Sequence, residues 1–308
     1  MREHLEREVD EPTTLGTGAV VIVDDACWAY YPEPVRGLLG ATLVWAHSRG
    51  ATQSNLILDE PDGVLAFVAT GFGEPRPRVW HAVERSIHRV DAQPPAIPPA
   101  PDCPESTALL ASRGLEVVAD HGVWLGEFNG LEVARVGVRD GECGLDIGVG
   151  AYDQFASAAL HLDRDDDAAI DHVLGMVRPH RVAGADPHPI GRLVRSRWLR
   201  AQLIVEPALI DLRSLNPVPL LLPRPGLVES QPAVGMGQSV DGDNVLVVCS
   251  TGIDLGVAET AAGLAALMQP QRIVVVMPQR DHHPRIGAAL ETLAHPAELV
   301  AVEGLWSD

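Results

Sequence analysis

Residues 122–150 read GVWLGEFNGLEVARVGVRDGECGLDIGVG, and the fold of the middle of the chain turns on them. Asn129-Gly130 and Asp140-Gly141 are two-residue hairpin signals between runs of Val, Leu, Ile and Trp, so the stretch predicts a three-stranded antiparallel meander. A tight turn at Asn129-Gly130 sets Phe128 opposite Leu131, Glu127 opposite Glu132, Leu125 opposite Ala134 and Trp124 opposite Arg135. Two carboxylates about 5 Å apart repel by roughly 3 kcal/mol at an effective dielectric of 20. Buried, the Glu127 and Glu132 pair would need a cation, an arginine or a shared proton; at a solvated hairpin end it would need none. A two-residue turn at Asp140-Gly141 sets Asp146 opposite Arg135 in a Trp124–Arg135–Asp146 ladder, and gathers Leu125, Ala134, Val136, Leu145 and Ile147 on the other face. A loop one residue longer would bring Asp146 to the face of Glu127 and Glu132; the apolar pattern favours the shorter turn.

The wider composition bounds what the protein can do. With 308 residues, 46% of them hydrophobic, the chain can bury a sizeable core. Its apolar runs are short and its N-terminus (MREHLEREVDEP) is charged, so neither a membrane span nor a signal peptide is expected, and the chain reads as cytoplasmic. Cys27, Cys103, Cys143 and Cys249 are scattered, which fits a reduced compartment and argues against a cysteine-based zinc site. All 23 basic residues are arginine. Without lysine there is no Walker A loop, no Schiff base and no lysine general base. A formal charge of −19 disfavours nucleic acid, except at a local patch over Arg178–Arg200.

Taken in order, residues 1–18 form a leader and 19–90 a βαβαβ unit, with strands at 19–23, 55–58 and 79–83 and helices at 35–49 and 62–70. Residues 91–104 (DAQPPAIPPAPDCP) are a Pro-rich linker, 105–213 a central α+β segment, and 214–243 a second Pro-rich strap whose Leu220–Leu222 should cover an apolar groove. Residues 244–308 repeat the βαβαβ layout, with strands at 245–249, 273–277 and 299–302 and helices at 257–268 and 285–294. The expected fold is α/β: two Rossmann-like units flanking a central α+β segment.

Within the central segment, helices are expected at 105–113, 152–162, 168–177 and 190–205, the third capped by the acidic run 163–167. The order helix, three antiparallel strands, helix over 105–182 resembles the core of the restriction-endonuclease-like, or PD-(D/E)XK, nucleases. The resemblance implies Glu105 as the helix carboxylate and Glu132 and Asp146 as the strand acids. Those nucleases continue the last motif acid-x-Lys; here it is Asp146-Ile147-Gly148, leaving Arg135 or Gln154 as stand-ins. On this reading Glu127, Glu132, Asp146 and Arg135 are the catalytic candidates, with Mg²⁺ or Mn²⁺ as the cofactor if the acids converge.

A second candidate lies at the C-terminal edges of the last unit's strands, where α/β sheets bind ligands. Ser250, Thr251, Gly252 and Asp254 follow one strand; Arg280 and His282 follow the next. Backbone N–H groups at a helix start suit an anionic or nucleotide-like molecule, with Arg280 adding charge, although ordinary capping uses the same residue types. Asp24, Asp25 and Asp59 would form an acidic counterpart in the first unit. Anion binding is therefore the leading expectation, a divergent nuclease or other hydrolase the alternative, and a partner-binding protein using the arginine helix the third.

Overall fold

The computed structural model describes residues 11–33, 36–150 and 165–306. The expected helix at 152–162, and Gln154 with it, lie outside the described residues. The protein is α/β, with mixed parallel and antiparallel sheets separated by helices in a Rossmann-like arrangement. Two compact units are distinguished: Met1–Pro95 with Ile253–Val275 and His282–Leu299, and Ala96–Gly252 with Val276–Asp281 and Val300–Asp308. No helix among the described residues is long and apolar enough to cross a membrane.

In the first unit, six strands lie in sequence order: β1 (Thr13–Leu15), β2 (Gly18–Val23), β3 (Ala26–Tyr31), β4 (Gln53–Leu58), β5 (Arg78–Val83) and β6 (Ser86–Arg89). Helices α1 (Leu38–His47) and α2 (Gly63–Ala69) connect the parallel strands β3, β4 and β5. The first parallel strand is thus β3 and not the run at 19–23. That run ends in a turn at Asp24, where φ is 56°, and pairs antiparallel with β3. Asp24 and Asp25 consequently precede a parallel strand while Asp59 follows one, so the three acids expected together are at opposite ends of the strands. Asp59 accepts the Tyr30 hydroxyl at 2.9 Å, and Asp25 accepts the Thr52 hydroxyl at 2.7 Å.

Helix α1 has no cap of its own. Its N-cap is Gly37, in a left-handed conformation that only glycine takes freely. The acceptor comes from Glu259 on α7 (Gly256–Met268), whose carboxylate receives the N–H groups of Gly37 at 2.8 Å, Leu39 at 2.6 Å and Gly40 at 3.2 Å. Three otherwise orphaned donors are satisfied by one buried side chain. Glu259→Ala should therefore cost about 2–3 kcal/mol in urea unfolding. Burial lifts the Glu259 carboxyl above its ordinary pKa, against the pull of those N–H groups. Because the folded value exceeds the unfolded one, this group's contribution falls as pH rises from the unfolded pKa through the folded one. Glu259→Gln should flatten that dependence.

The second unit opens with α3 (Pro104–Ser112), then β7 (Glu116–Asp120), β8 (Val123–Phe128), β9 (Leu131–Arg139) and β10 (Glu142–Ile147), a four-stranded antiparallel sheet in the order β10-β9-β8-β7. The meander is as expected, extended by β7 through a turn at His121-Gly122. Both predicted turns form: Phe128 faces Leu131, Glu127 faces Glu132, and Asp146 faces Arg135. Two residue pairs beyond the first turn the register departs. A bulge shifts Gly126 to Ala134, Leu125 to Arg135 and Trp124 to Val136, so Trp124 leaves the expected ladder. Trp124 instead packs with Val136, Leu145 and Ile147 against α3 and α4 (Asp166–Val177). Asp165 caps α4 by accepting from the Asp167 N–H, as the acidic run predicts.

Beyond α4 come α5 (Pro189–Arg192), α6 (Arg195–Val205) and a third sheet, ordered β11 (Leu212–Val218), β12 (Ala233–Ser239), β13 (Asn244–Cys249), β14 (Arg272–Met277) and β15 (Ala297–Ala301). From β13 onward the order β13, α7, β14, α8 (Pro284–Leu290), β15 is the predicted strand–helix alternation. The strands β11, which begins just before the Pro-rich strap of 214–243, and β12, which lies wholly within it, were not expected.

Cys103 and Cys143, read from sequence as free thiols, form a disulfide across 40 residues that ties the start of α3 to β10; Cys27 and Cys249 are free and buried. Closing a loop of that length restricts the unfolded chain by up to about 4 kcal/mol. Reduction, or Cys143→Ser, should lower the unfolding free energy by about 2–4 kcal/mol, measured in urea with and without a reductant.

Candidate anion-binding site

The helix expected at 190–205 is broken. Leu193 is extended and Val194 takes a φ of 37°, so α6 starts afresh at Arg195 and runs through the interior of the second unit. Ser196, Arg197, Trp198, Leu199, Arg200, Ala201 and Leu203 are all buried, whereas Val205 is 79% exposed. Arg181 is buried too. Three of the six arginines over 178–200 are therefore inside; of the two readings the run allows by sequence, phosphate contact or pairing with the protein's own acids, Arg197 and Arg200 take the second.

Each buried guanidinium sets a demand on its surroundings. Arg181 stacks over Trp198 with its carbon 4.4 Å from the ring centroid, and donates to the carbonyls of Asn129 and Leu193, both at 2.6 Å. Asn129 returns a bond to the Arg181 carbonyl at 2.5 Å. The turn at Asn129-Gly130 is thus clamped against the start of α6, so closely that a Cβ on Gly130 would stand 2.3 Å from the Arg197 backbone. Arg197 pairs with Asp120 at 3.2 Å and Glu127 at 2.8 Å, and Arg200 with Glu127 at 2.7 Å. Glu116, opposite Glu127 in the β7–β8 register, is lifted above the usual carboxylate range by burial, although Arg200 draws it down.

The acids of the nuclease-like reading are consequently accounted for one by one. Glu127 is committed to Arg197 and Arg200; Glu132 accepts two bonds from Arg135, at 3.0 and 3.1 Å; Asp146, although opposite Arg135, pairs with Arg139 at 2.5 Å. Glu105 is exposed on the first turn of α3. Among the described residues no group of three or more His, Cys, Asp and Glu side chains could hold a metal ion. The expectation of Mg²⁺ or Mn²⁺ is overturned: these acids are counterions for arginines.

One guanidinium is not provided for. Arg224, a lone charge in the strap sequence LLLPRPG, reaches a small cleft, of about 20 Å³, lined by Arg197, Arg200 and Asp120 and walled by Val118, Val218, Leu220 and Val234. Its Nη2 donates to the Pro232 carbonyl at 2.9 Å. Its Nε and Nη1, and the Nε of Arg200, are buried with no hydrogen-bond partner among the described residues. Burial, with Arg197 and Arg200 nearby, pushes the Arg224 guanidinium down to about 9. At neutral pH it remains charged, so the cost of the position persists. Buried guanidinium donors without acceptors, on side chains that line a cleft with apolar walls, are groups that a carboxylate or phosphate oxygen would satisfy.

The strand-edge residues fare differently. Ser250, Thr251, Gly252 and Arg280 belong to the second unit, and Asp254 and His282 to the first. Ser250 is buried, with its N–H on the Val276 carbonyl at 2.9 Å; Thr251 shares a 3.3 Å contact with Ser196. The Gly252 N–H, expected to face an anion, donates to the Asp281 carboxylate at 2.8 Å. Asp254 pairs with Arg36 and accepts from the Gly256 N–H. Arg280 stands near Asp281 at 3.8 Å, while burial and the neighbouring Arg280 and Arg192 hold Arg195 below its ordinary value. His282 has a buried Nε2 without a hydrogen-bond partner among the described residues. The protein's own carboxylates occupy the anion positions at this edge.

The chain matches no protein-family model, no curated protein and no solved structure.

Removing Glu127 tests the internal role of the acids. Glu127→Ala leaves Arg200 without its carboxylate and Arg197 with Asp120 alone, and should cost about 3–5 kcal/mol in urea unfolding, whereas Asp146→Ala, whose partner Arg139 is exposed, should cost under about 1 kcal/mol.

Proposed function

We propose that the second unit binds an anionic small molecule or group in the cleft over Arg200 and Arg224. The observation that carries this reading is the set of unpartnered N–H donors on those two side chains. A buried donor without an acceptor costs about 1–3 kcal/mol, more when charged, and a ligand that supplies the acceptor recovers it. Anion binding was also the leading expectation from sequence; the location moves from the strand edges to the arginine cleft, because Asp281 already holds the Gly252 N–H and Arg36 already holds Asp254. The disulfide between Cys103 and Cys143 favours an oxidising compartment over the cytoplasm as the place where this binding occurs.

Thermal unfolding with inorganic phosphate, citrate, nucleotides and phosphorylated metabolites tests the proposal. A ligand at 100 times its dissociation constant adds about 2.7 kcal/mol of stability. The shift should vanish in Arg224→Gln and survive in Arg280→Gln. The reverse pattern would return the site to the strand edge, and no shift with any anion would remove the reading altogether.

A further inference from the structure

The size of the Arg224 cleft limits what can occupy it. Its volume is about 20 Å³, where about 10–15 Å³ is enough to seat one water. The unpartnered donors, Nε and Nη1 of Arg224 and Nε of Arg200, are buried, and Arg200 as a whole is 3% exposed. As it stands the space admits one atom-sized guest. Phosphate or citrate would enter only if the strap carrying Arg224 moved aside.

Charge narrows the choice further. Arg197, Arg200 and Arg224 line the cleft together with one carboxylate, Asp120. Glu127 is shared by Arg197 and Arg200, and Asp120 is shared by Arg197 at 3.2 Å and His121 at 2.7 Å. Arg224 has the Pro232 carbonyl on Nη2, and its other two nitrogens lack acceptors among the described residues. Three guanidiniums thus meet two carboxylates. Glu116, the next acid, is not on the cleft wall, and burial lifts its carboxyl above the usual carboxylate range although Arg200 draws it down. One positive charge is left over where the surroundings are apolar and an unpaired charge is most costly.

A water in this space would accept from the guanidiniums, but it carries no charge and brings two hydrogens that need acceptors of their own. A halide ion is acceptor-only, monovalent and not much larger than a water. We propose that the cleft is a binding site for a single chloride ion, held by the free N–H groups of Arg200 and Arg224 and neutralising the charge that Asp120 and Glu127 leave over. This rests on the anion-binding reading and names the anion. The ion joins Arg200 of α6 to Arg224 of the strap, so the folded second unit takes up chloride and the unfolded chain does not.

The test is urea unfolding of the intact protein at constant ionic strength, with sodium chloride replacing sodium gluconate. One site filled only in the folded state should raise the ratio of folded to unfolded protein about tenfold for each tenfold rise in chloride above the dissociation constant. Arg224→Gln should abolish that dependence and Arg280→Gln should keep it. Bromide should substitute for chloride, and crystals of the wild type grown in bromide should show its anomalous scattering in the cleft. A dependence unchanged in Arg224→Gln, or bromide located only elsewhere, would overturn the assignment. Equal stability in chloride and gluconate would leave the space to a water and overturn chloride. If phosphate then still raises the melting temperature of the wild type and not of Arg224→Gln, the anion-binding reading stands; if phosphate fails as well, both fall.

Discussion

The second unit is arranged around charges that cannot be discharged. An arginine keeps its proton at neutral pH even when buried, so burying one obliges the structure to supply acceptors in a fixed planar geometry. Arg181, Arg197 and Arg200 are all inside, and much of the local architecture answers to them. The break before α6 turns the Leu193 carbonyl toward Arg181, the Asn129-Gly130 turn lends a second carbonyl, and β7 and β8 bring Asp120 and Glu127 to α6. A lysine in the same place could neutralise when buried; this chain, having none, has only the permanent cation to work with.

The acidic residues take their meaning from the same constraint. Glu127 and Glu132 stand opposite each other, which by sequence calls for a cation, an arginine or a shared proton if they are buried and for nothing at a solvated hairpin end. The structure takes the second of these, an arginine for each, with Arg200 and Arg197 on one and Arg135 on the other. Carboxylates so engaged are poor metal ligands, because a divalent cation would have to displace a guanidinium already hydrogen-bonded to them. Arg224 differs in kind: its partner is a single carbonyl. At the cleft, as at the Nε of Arg181, the supply of acceptors falls short among the described residues.

Local signals in the sequence carried far, and interactions across the fold did not. Asn-Gly and Asp-Gly named both hairpin turns, the β-branched runs named the buried strands from 244 onward, and the acid run named the start of α4. The bulge beside Gly126 was hidden because an extra residue in a strand of Leu, Val and Ala leaves its apolar character unchanged while moving every later pair. The strand at 26–31 was legible in hindsight: Cys27, Ala29 and Tyr31 are buried and alternate with half-exposed Ala26, Trp28 and Tyr30, but Asp24-Asp25 resembled an end and not a turn. Burial of Arg197 and Arg200 had no local signal, since their partners lie about 70 residues upstream in the chain. Cysteine spacing was likewise silent about Cys103 and Cys143.

The cap that Glu259 provides for α1 joins positions 220 residues apart. Synthesis is vectorial, so the segment carrying α1 leaves the ribosome long before residue 259 exists, and at that stage the helix has neither a side-chain cap of its own nor an acceptor for its first N–H groups. The first unit is therefore assembled from stretches far apart in the chain, and the acceptor for its N-terminal helix comes from the later one, which begins at Ile253. The second unit, mostly continuous from Ala96 to Gly252, can begin folding while the first is still incomplete.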